Sequence, residues 1–73
     1  MIWGQVKFLR EGIFELRTRT RTLQVRTFYF FYNKSNIIIT NGCAKKDKKR
    51  QNEEINKAIK YKNDYLMRKN SEL

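Results

Sequence analysis

Arginines and lysines at close, regular spacing are the residues here best suited to chemistry, and the chemistry they suit is the binding of phosphates. Arg17, Arg19 and Arg21 alternate with Thr18, Thr20 and Thr22. In an extended strand that alternation would line the guanidinium groups along one face at steps of about 6.6 Å, a row that a phosphate backbone can follow. A turn falling within residues 19–22 would instead leave most of them merely solvated. Arg26 has a different setting, because it interrupts Leu23–Tyr32, a run filled with β-branched and aromatic residues. An unpaired guanidinium is expensive to hold among such residues. Arg26 therefore reads either as a preorganised anion-binding group on a rigid strand or as an arginine at the strand's exposed end. From Lys45 to Arg50 six charges follow in succession, five of them positive, which mostly reads as a solvated linker. Lys45 or Lys46 could act as acid or base where a cationic neighbourhood lowers its pKa, and Tyr61 or Tyr65 could donate a proton or stack on a base. Arg19, Arg21, Lys48 and Lys49 are candidates for holding the backbone of a polyanion.

The whole composition points the same way. Seventeen Lys and Arg stand against seven Asp and Glu, and the net charge of +10 suits a nucleic acid or an acidic protein partner. Residues 1–36 carry seven basic and two acidic groups and residues 37–73 carry ten and five, so each half contributes +5 and the excess is not a detachable tail. Five of the seven arginines precede Lys34, whereas lysines concentrate later, which suggests a groove of arginines rimmed by lysines. A membrane surface would also attract such a chain, but no apolar run approaches the roughly 20 residues that a spanning helix needs. Nor does Met1–Leu9 have the pattern of a signal peptide. A soluble cytoplasmic protein is expected. With no histidine and with Cys43 as the single cysteine, neither an internal disulfide nor a zinc site is expected, and no other metal or cofactor. Acid–base chemistry would fall to Lys, Tyr, Glu or Asp.

The elements that must position these groups can be read from periodicity. The segment before Gly12 reads as a helical stub or loop that the glycine closes. From Ile13 the period is two, with Phe14, Leu16 and Thr18 on one face and Ile13, Glu15, Arg17 and Arg19 on the other. Leu23–Tyr32 is the central strand, and because its aromatics fall on both parities both of its faces should be covered. Asn33–Asn36 is a turn, and a third strand runs from Ile37 to near Cys43, with Asn41–Gly42 as a strand end or bulge. Asn52 with Glu53 and Glu54 resembles the start of a helix, which could also begin a turn earlier. Ile55, Ala58, Ile59 and Leu66 would face the sheet, with Lys57, Lys60 and Arg68 in solvent. The expected class is α+β, a three-stranded antiparallel meander with a C-terminal helix, in one domain over residues 1–73. A core of this size supplies only ~3–5 kcal/mol, so a partner or a homo-oligomer is expected.

Three blocks stand in a familiar order: Gly12-Ile13-Phe14-Glu15-Leu16-Arg17, then Val25-Arg26-Thr27-Phe28-Tyr29-Phe30, then Asn41-Gly42-Cys43-Ala44-Lys45-Lys46. With Glu54 and Ala58 of the helix they resemble the phage-derived HigB-like toxins of the RelE/ParE superfamily over residues 7–66. The resemblance implies a RelE-type microbial ribonuclease fold, a cognate helix-turn-helix antitoxin that holds the toxin inactive, and cleavage of messenger RNA on the ribosome. It places Arg17, Arg26, Lys45 and Lys46 on the family's basic positions, as catalytic candidates. Asn41 stands where many relatives have histidine and Cys43 where they have phenylalanine, so an imidazole acid is lacking. Relatives also carry a strand and a helical hairpin ahead of the Glu-Leu-Arg block, where this chain has eleven residues before Gly12. The resemblance thus implies an N-terminally short toxin or an inactive remnant.

The function expected on these grounds is the toxin of a type II toxin–antitoxin system acting as a metal-independent endoribonuclease. Its rivals are a non-catalytic basic module that holds RNA or DNA, and a toxin of the ParE branch that poisons DNA gyrase.

Overall fold

Alternation of side chains between two faces builds most of the molecule. The computed structural model describes residues 3–44 and 48–71. Four strands, β1 (Trp3–Arg10), β2 (Ile13–Arg19), β3 (Gln24–Tyr32) and β4 (Asn36–Ala44), precede one helix, α1 (Lys48–Ser71). The strands pair in chain order as an antiparallel meander, and α1 crosses β2, β3 and β4 on one face. The α+β class and the C-terminal helix are as expected, but the sheet has four strands where three were expected.

The difference is β1, expected as a helical stub or loop. Gly4, Val6 and Phe8 alternate with Gln5 and Lys7, and Phe8 lies opposite Phe14. Glu11 (φ 50°) and Gly12 (φ 80°) are both left-handed, which makes the two-residue turn whose twist suits a hairpin. Gly12 therefore reverses a strand and does not end a helical turn. Lys62 Nζ donates to the Glu11 carbonyl at 2.6 Å and ties this turn to α1.

The turn between β2 and β3 lacks glycine and is held by side-chain chemistry. Thr20 N–H donates to the Leu23 carbonyl at 2.8 Å, and Leu23 N–H donates to Thr20 Oγ1 at 3.1 Å. Consequently Arg17 and Arg19 lie on one strand face while Arg21 sits in the turn, so of the two readings of this alternation the one with a turn holds and the row stops after two.

A bulge at Thr40 re-phases β4. Phe28 pairs with Asn41 and Tyr29 with Ile39, leaving Thr40 without an opposite residue. Thr40 Oγ1 donates to the Phe28 carbonyl at 3.2 Å. Because side chains alternate, the extra residue turns Asn41 and Cys43 toward α1 along with Ile38. The bulge expected near Asn41–Gly42 thus precedes that pair, and the strand runs on to Ala44.

The helix begins at Lys48, the earlier of the two expected starts, so Lys48–Arg50 form a helical turn and not a linker. Ile13, Phe28, Phe30 and Ala58 are fully buried, with Leu9, Ile38, Ile55, Ile59 and Leu66 packed around them. The helix face is the one that its spacing indicated, and Lys57, Lys60 and Arg68 are exposed.

The second expectation overturned concerns the central strand, since among the described residues only one of its faces is covered. On the other, aromatic rings shield one another: Phe14 stacks on Tyr29 at 5.5 Å between centroids, and Phe8 and Phe31 meet Phe14 edge-on. Phe31 remains 47 % exposed.

Gly42 of β4 lies against the β3 backbone, and a Cβ there would stand 2.7 Å from the Arg26 carbonyl oxygen. Gly42→Ala should force the two backbones apart and cost roughly 1–3 kcal/mol. A urea midpoint equal to that of the wild type would contradict this packing.

Candidate anion-binding site

Pairing of β2 with β3 sets Arg17 directly opposite Arg26, on the face that α1 covers. Like charges placed opposite one another on a sheet repel, so this register requires compensation. Glu15 supplies it. Two residues from Arg17 on the same face, its side chain is buried to 2 % exposure, with Oε1 accepting from Arg17 Nε and Oε2 accepting from Arg26 Nη1 at 3.4 Å. Arg26 Nη1 also donates to Gln51 Oε1 at 3.2 Å, so the beginning of α1 closes over it. The Arg26 side chain is 12 % exposed and that of Arg17 26 %. Arg26 Nε is buried with no hydrogen-bond partner among the described residues.

Two guanidinium groups against one carboxylate leave a net positive charge in a half-buried setting, where it acts over distance more strongly than in water. More cations surround it. Arg19 is exposed at the end of β2 opposite Gln24, and Arg21 is exposed in the turn beyond. Lys48 and Lys49 are exposed in the first turn of α1, within one helical turn of Gln51. That first turn has no acidic residue, so the helix dipole adds to the positive potential there instead of being neutralised. Such an assembly can hold a phosphate and stabilise charge that develops on its oxygens.

Lys45 and Lys46 lie outside the described residues. Tyr65 is placed elsewhere, roughly 21 Å along the helix from Gln51. Its ring meets Phe30 at 5.7 Å and Tyr32 at 5.4 Å edge-on, and Lys69 Nζ lies 5.6 Å from its centroid, an arrangement that serves packing. Tyr61 is half-exposed on the same helix. Sequence reasoning put Glu15 on the face of Arg17 but gave it no role. The spacing of a lone carboxylate two residues from an arginine, in a strand next to one with another arginine, was the available signal. Among the described residues, no group of three or more His, Cys, Asp or Glu side chains could hold a metal ion.

A second polar link fixes β4 to the helix. Asn41 Nδ2 donates to the Glu54 carbonyl at 3.0 Å and to Glu54 Oε2 at 2.9 Å. The Asn41 hydrogen bond, then that from Lys57, hold the Glu54 carboxyl below its ordinary value of 4.5, with the charges of Lys57 and Arg50 adding and burial opposing.

Two expectations follow from these contacts. Removing Glu15 leaves Arg26 covered and opposite another cation, so Glu15→Ala should cost about 3–5 kcal/mol, whereas breaking the exposed Lys57–Glu54 pair with Lys57→Ala should cost at most about 1 kcal/mol. Equal losses in chemical denaturation would refute the ranking. For Glu54 the depressed folded-state pKa means that its stabilisation is present above the unfolded value and is lost as pH falls through the lower folded one. Below pH 4.5 the wild type should therefore lose stability more steeply than Glu54→Gln. Parallel acid limbs in urea titrations of the two proteins would contradict the link.

Among the described residues no helix is long and apolar enough to cross a membrane. Comparison with curated proteins and with solved structures gives no match. The family model described as "Phage derived protein Gp49-like (DUF891)" matches residues 4–63, which takes in the sheet from its second residue onward and the first two-thirds of the helix. The chain therefore belongs to the phage-derived Gp49-like family, within the RelE/HigB-like toxins.

Proposed function

We propose that this protein is the toxin of a type II toxin–antitoxin pair and acts as a metal-independent endoribonuclease on messenger RNA at the ribosome. The observation that carries the reading is the pairing of Arg17 with Arg26 across β2 and β3, with one buried carboxylate between them and a basic helical turn above. Membership of the Gp49-like family supports the toxin role and a cognate antitoxin, which would be a helix-turn-helix protein.

In the reaction the RNA 2′-oxygen attacks the adjacent phosphorus, the bond to the 5′-oxygen breaks, and a 2′,3′-cyclic phosphate remains on the upstream fragment. Negative charge gathers on the non-bridging oxygens, and fixed cations there lower the barrier. Arg26 would contribute most, since its position is set by strands on both sides and by Gln51 above. Arg17 would assist, and Arg19, Arg21, Lys48 and Lys49 would hold the flanking backbone. Lys45 and Lys46 are proposed for proton transfer, because the sequence has no histidine.

One observation favours a second reading, that of a basic module which holds RNA without cleaving it. Of the donors that face inward, Arg17 Nε is taken by Glu15 and Arg26 Nη1 by Glu15 and Gln51, while Arg26 Nε is shut away from solvent, which leaves the outer cations as contacts to a backbone.

Induction of the wild type, Arg26→Ala and Arg26→Lys, with soluble protein matched by immunoblot, tests the two. Loss of one charge-assisted contact in the transition state should slow cleavage a hundredfold to a thousandfold, about 3–4 kcal/mol, and abolish growth arrest. Lysine keeps the charge without the bidentate fork and should rescue only partly. Undiminished messenger RNA loss with Arg26→Ala would make the arginine structural. RNA retained but uncut by the wild type would favour the binding module, and DNA damage with intact messenger RNA would point to gyrase.

A further inference from the structure

Among the described residues, the sheet face turned away from α1 carries no Asp, Glu, Lys or Arg. Reading the register across it, Val6 and Phe8 of β1, Phe14, Leu16 and Thr18 of β2, Val25, Thr27, Tyr29 and Phe31 of β3, and Ile37 and Ile39 of β4 share one side. In a chain with a net charge of +10 this segregation is the opposite of what a solvated surface shows. The rim residues are the most exposed, with Ile39 at 67 %, Val6 and Ile37 at 57 % and Phe8 at 56 %. Monomeric proteins rarely expose contiguous apolar patches beyond a few hundred Å². Four strands spaced ~4.8 Å apart and about eight residues long at ~3.3 Å each give this face ~500 Å².

We infer that this face is covered by the same face of a second copy of the chain, two sheets packing back to back with the helices outermost. Four observations favour that occupant. The cover should be apolar and free of charge over the same area, and among the described residues this face itself is such a surface. An acidic partner would be drawn to Arg17, Arg19 and the first turn of α1, on the opposite side of the sheet, and would gain nothing electrostatic here. Pairing two copies buries about 1,000 Å² in total, the least that a specific interface needs, so the dimer should be reversible at micromolar concentration. Its shape also fits: aromatic rings of β2 and β3 form a central ridge, flanked by Val6 and Phe8 of β1 and by Ile37 and Ile39 of β4, and sheets packed at a small angle interdigitate such rows.

The cations of the two copies then lie on outer faces about 20 Å or more apart, beyond the Debye length at physiological salt. Association should therefore strengthen or stay level as salt rises, whereas binding to RNA weakens with salt by counterion release. This inference is independent of whether the protein cleaves RNA.

Sedimentation velocity of the full chain from about 1 to about 100 μM, a range bracketing the reversible dimer expected for this area, decides the matter. A monomer–dimer equilibrium is expected for the wild type. Ile39→Lys should shift it to monomer by at least tenfold, since an unpaired charge would be carried into an apolar contact. Ile39 is largely exposed in the single chain, so the substitution should leave the far-ultraviolet circular dichroism unchanged. Should Ile39→Lys unfold, the paired substitution Ile37→Thr with Ile39→Thr, which keeps the β-branched preference for strand, provides the same comparison. A wild type that stays monomeric throughout the range overturns the inference. So does growth without a limiting size, or a dimer that both the lysine and the threonine variants leave intact.

Discussion

A single carboxylate decides whether two arginines can share the centre of this sheet. Register alone would place Arg17 and Arg26 side by side and half out of water, an arrangement that the chain could not hold. With Glu15 beneath them the strands can pair, and the pairing in turn orients β3 so that Phe28 and Phe30 enter the core. The same carboxylate sets the limit of the charge available for function, because it neutralises one of the two guanidinium groups. The rest must come from cations outside the core, on the β2–β3 turn and the first turn of α1.

Much of this architecture was legible in the sequence, and the exceptions have physical causes. β2 announces itself through a period of two, β3 through its run of β-branched and aromatic residues, and the helix face through a period of 3.6. β1 does not: its apolar positions are irregular because Leu9 bulges, so that Phe8 pairs with Phe14 and Arg10 with Ile13. Gly12 compounded the ambiguity, since a left-handed glycine serves equally well after a helical turn or in a hairpin. The open sheet face was misread for another reason. Aromatics on both parities of β3 suggested two covering layers, yet Phe14, Tyr29 and Phe31 cover one another in part.

For the site, residue type gave the arginines, and topology gave their relation. Arg26 stood out as a charge in an aromatic strand, and it is indeed nearly buried. Its partners, Glu15 at a separation of 11 residues and Gln51 at 25, depend on register and on helix placement, which no local pattern encodes. The role of Asn41 likewise depends on the Thr40 bulge, which turns a side chain inward that simple alternation from Ile38 would have left outside.

The meander order has a kinetic consequence. Every strand pairs with its neighbour in the chain, so the sheet can zip together through short loops at little entropic cost. The helix is different: its links to the sheet close far longer loops, Arg10 to Asn56 and Glu11 to Lys62 among them. A newly synthesised chain therefore assembles its hairpins first and docks the helix last. Arg26 acquires Gln51 and its cover only in that final step, so the hairpins form before the basic site is complete.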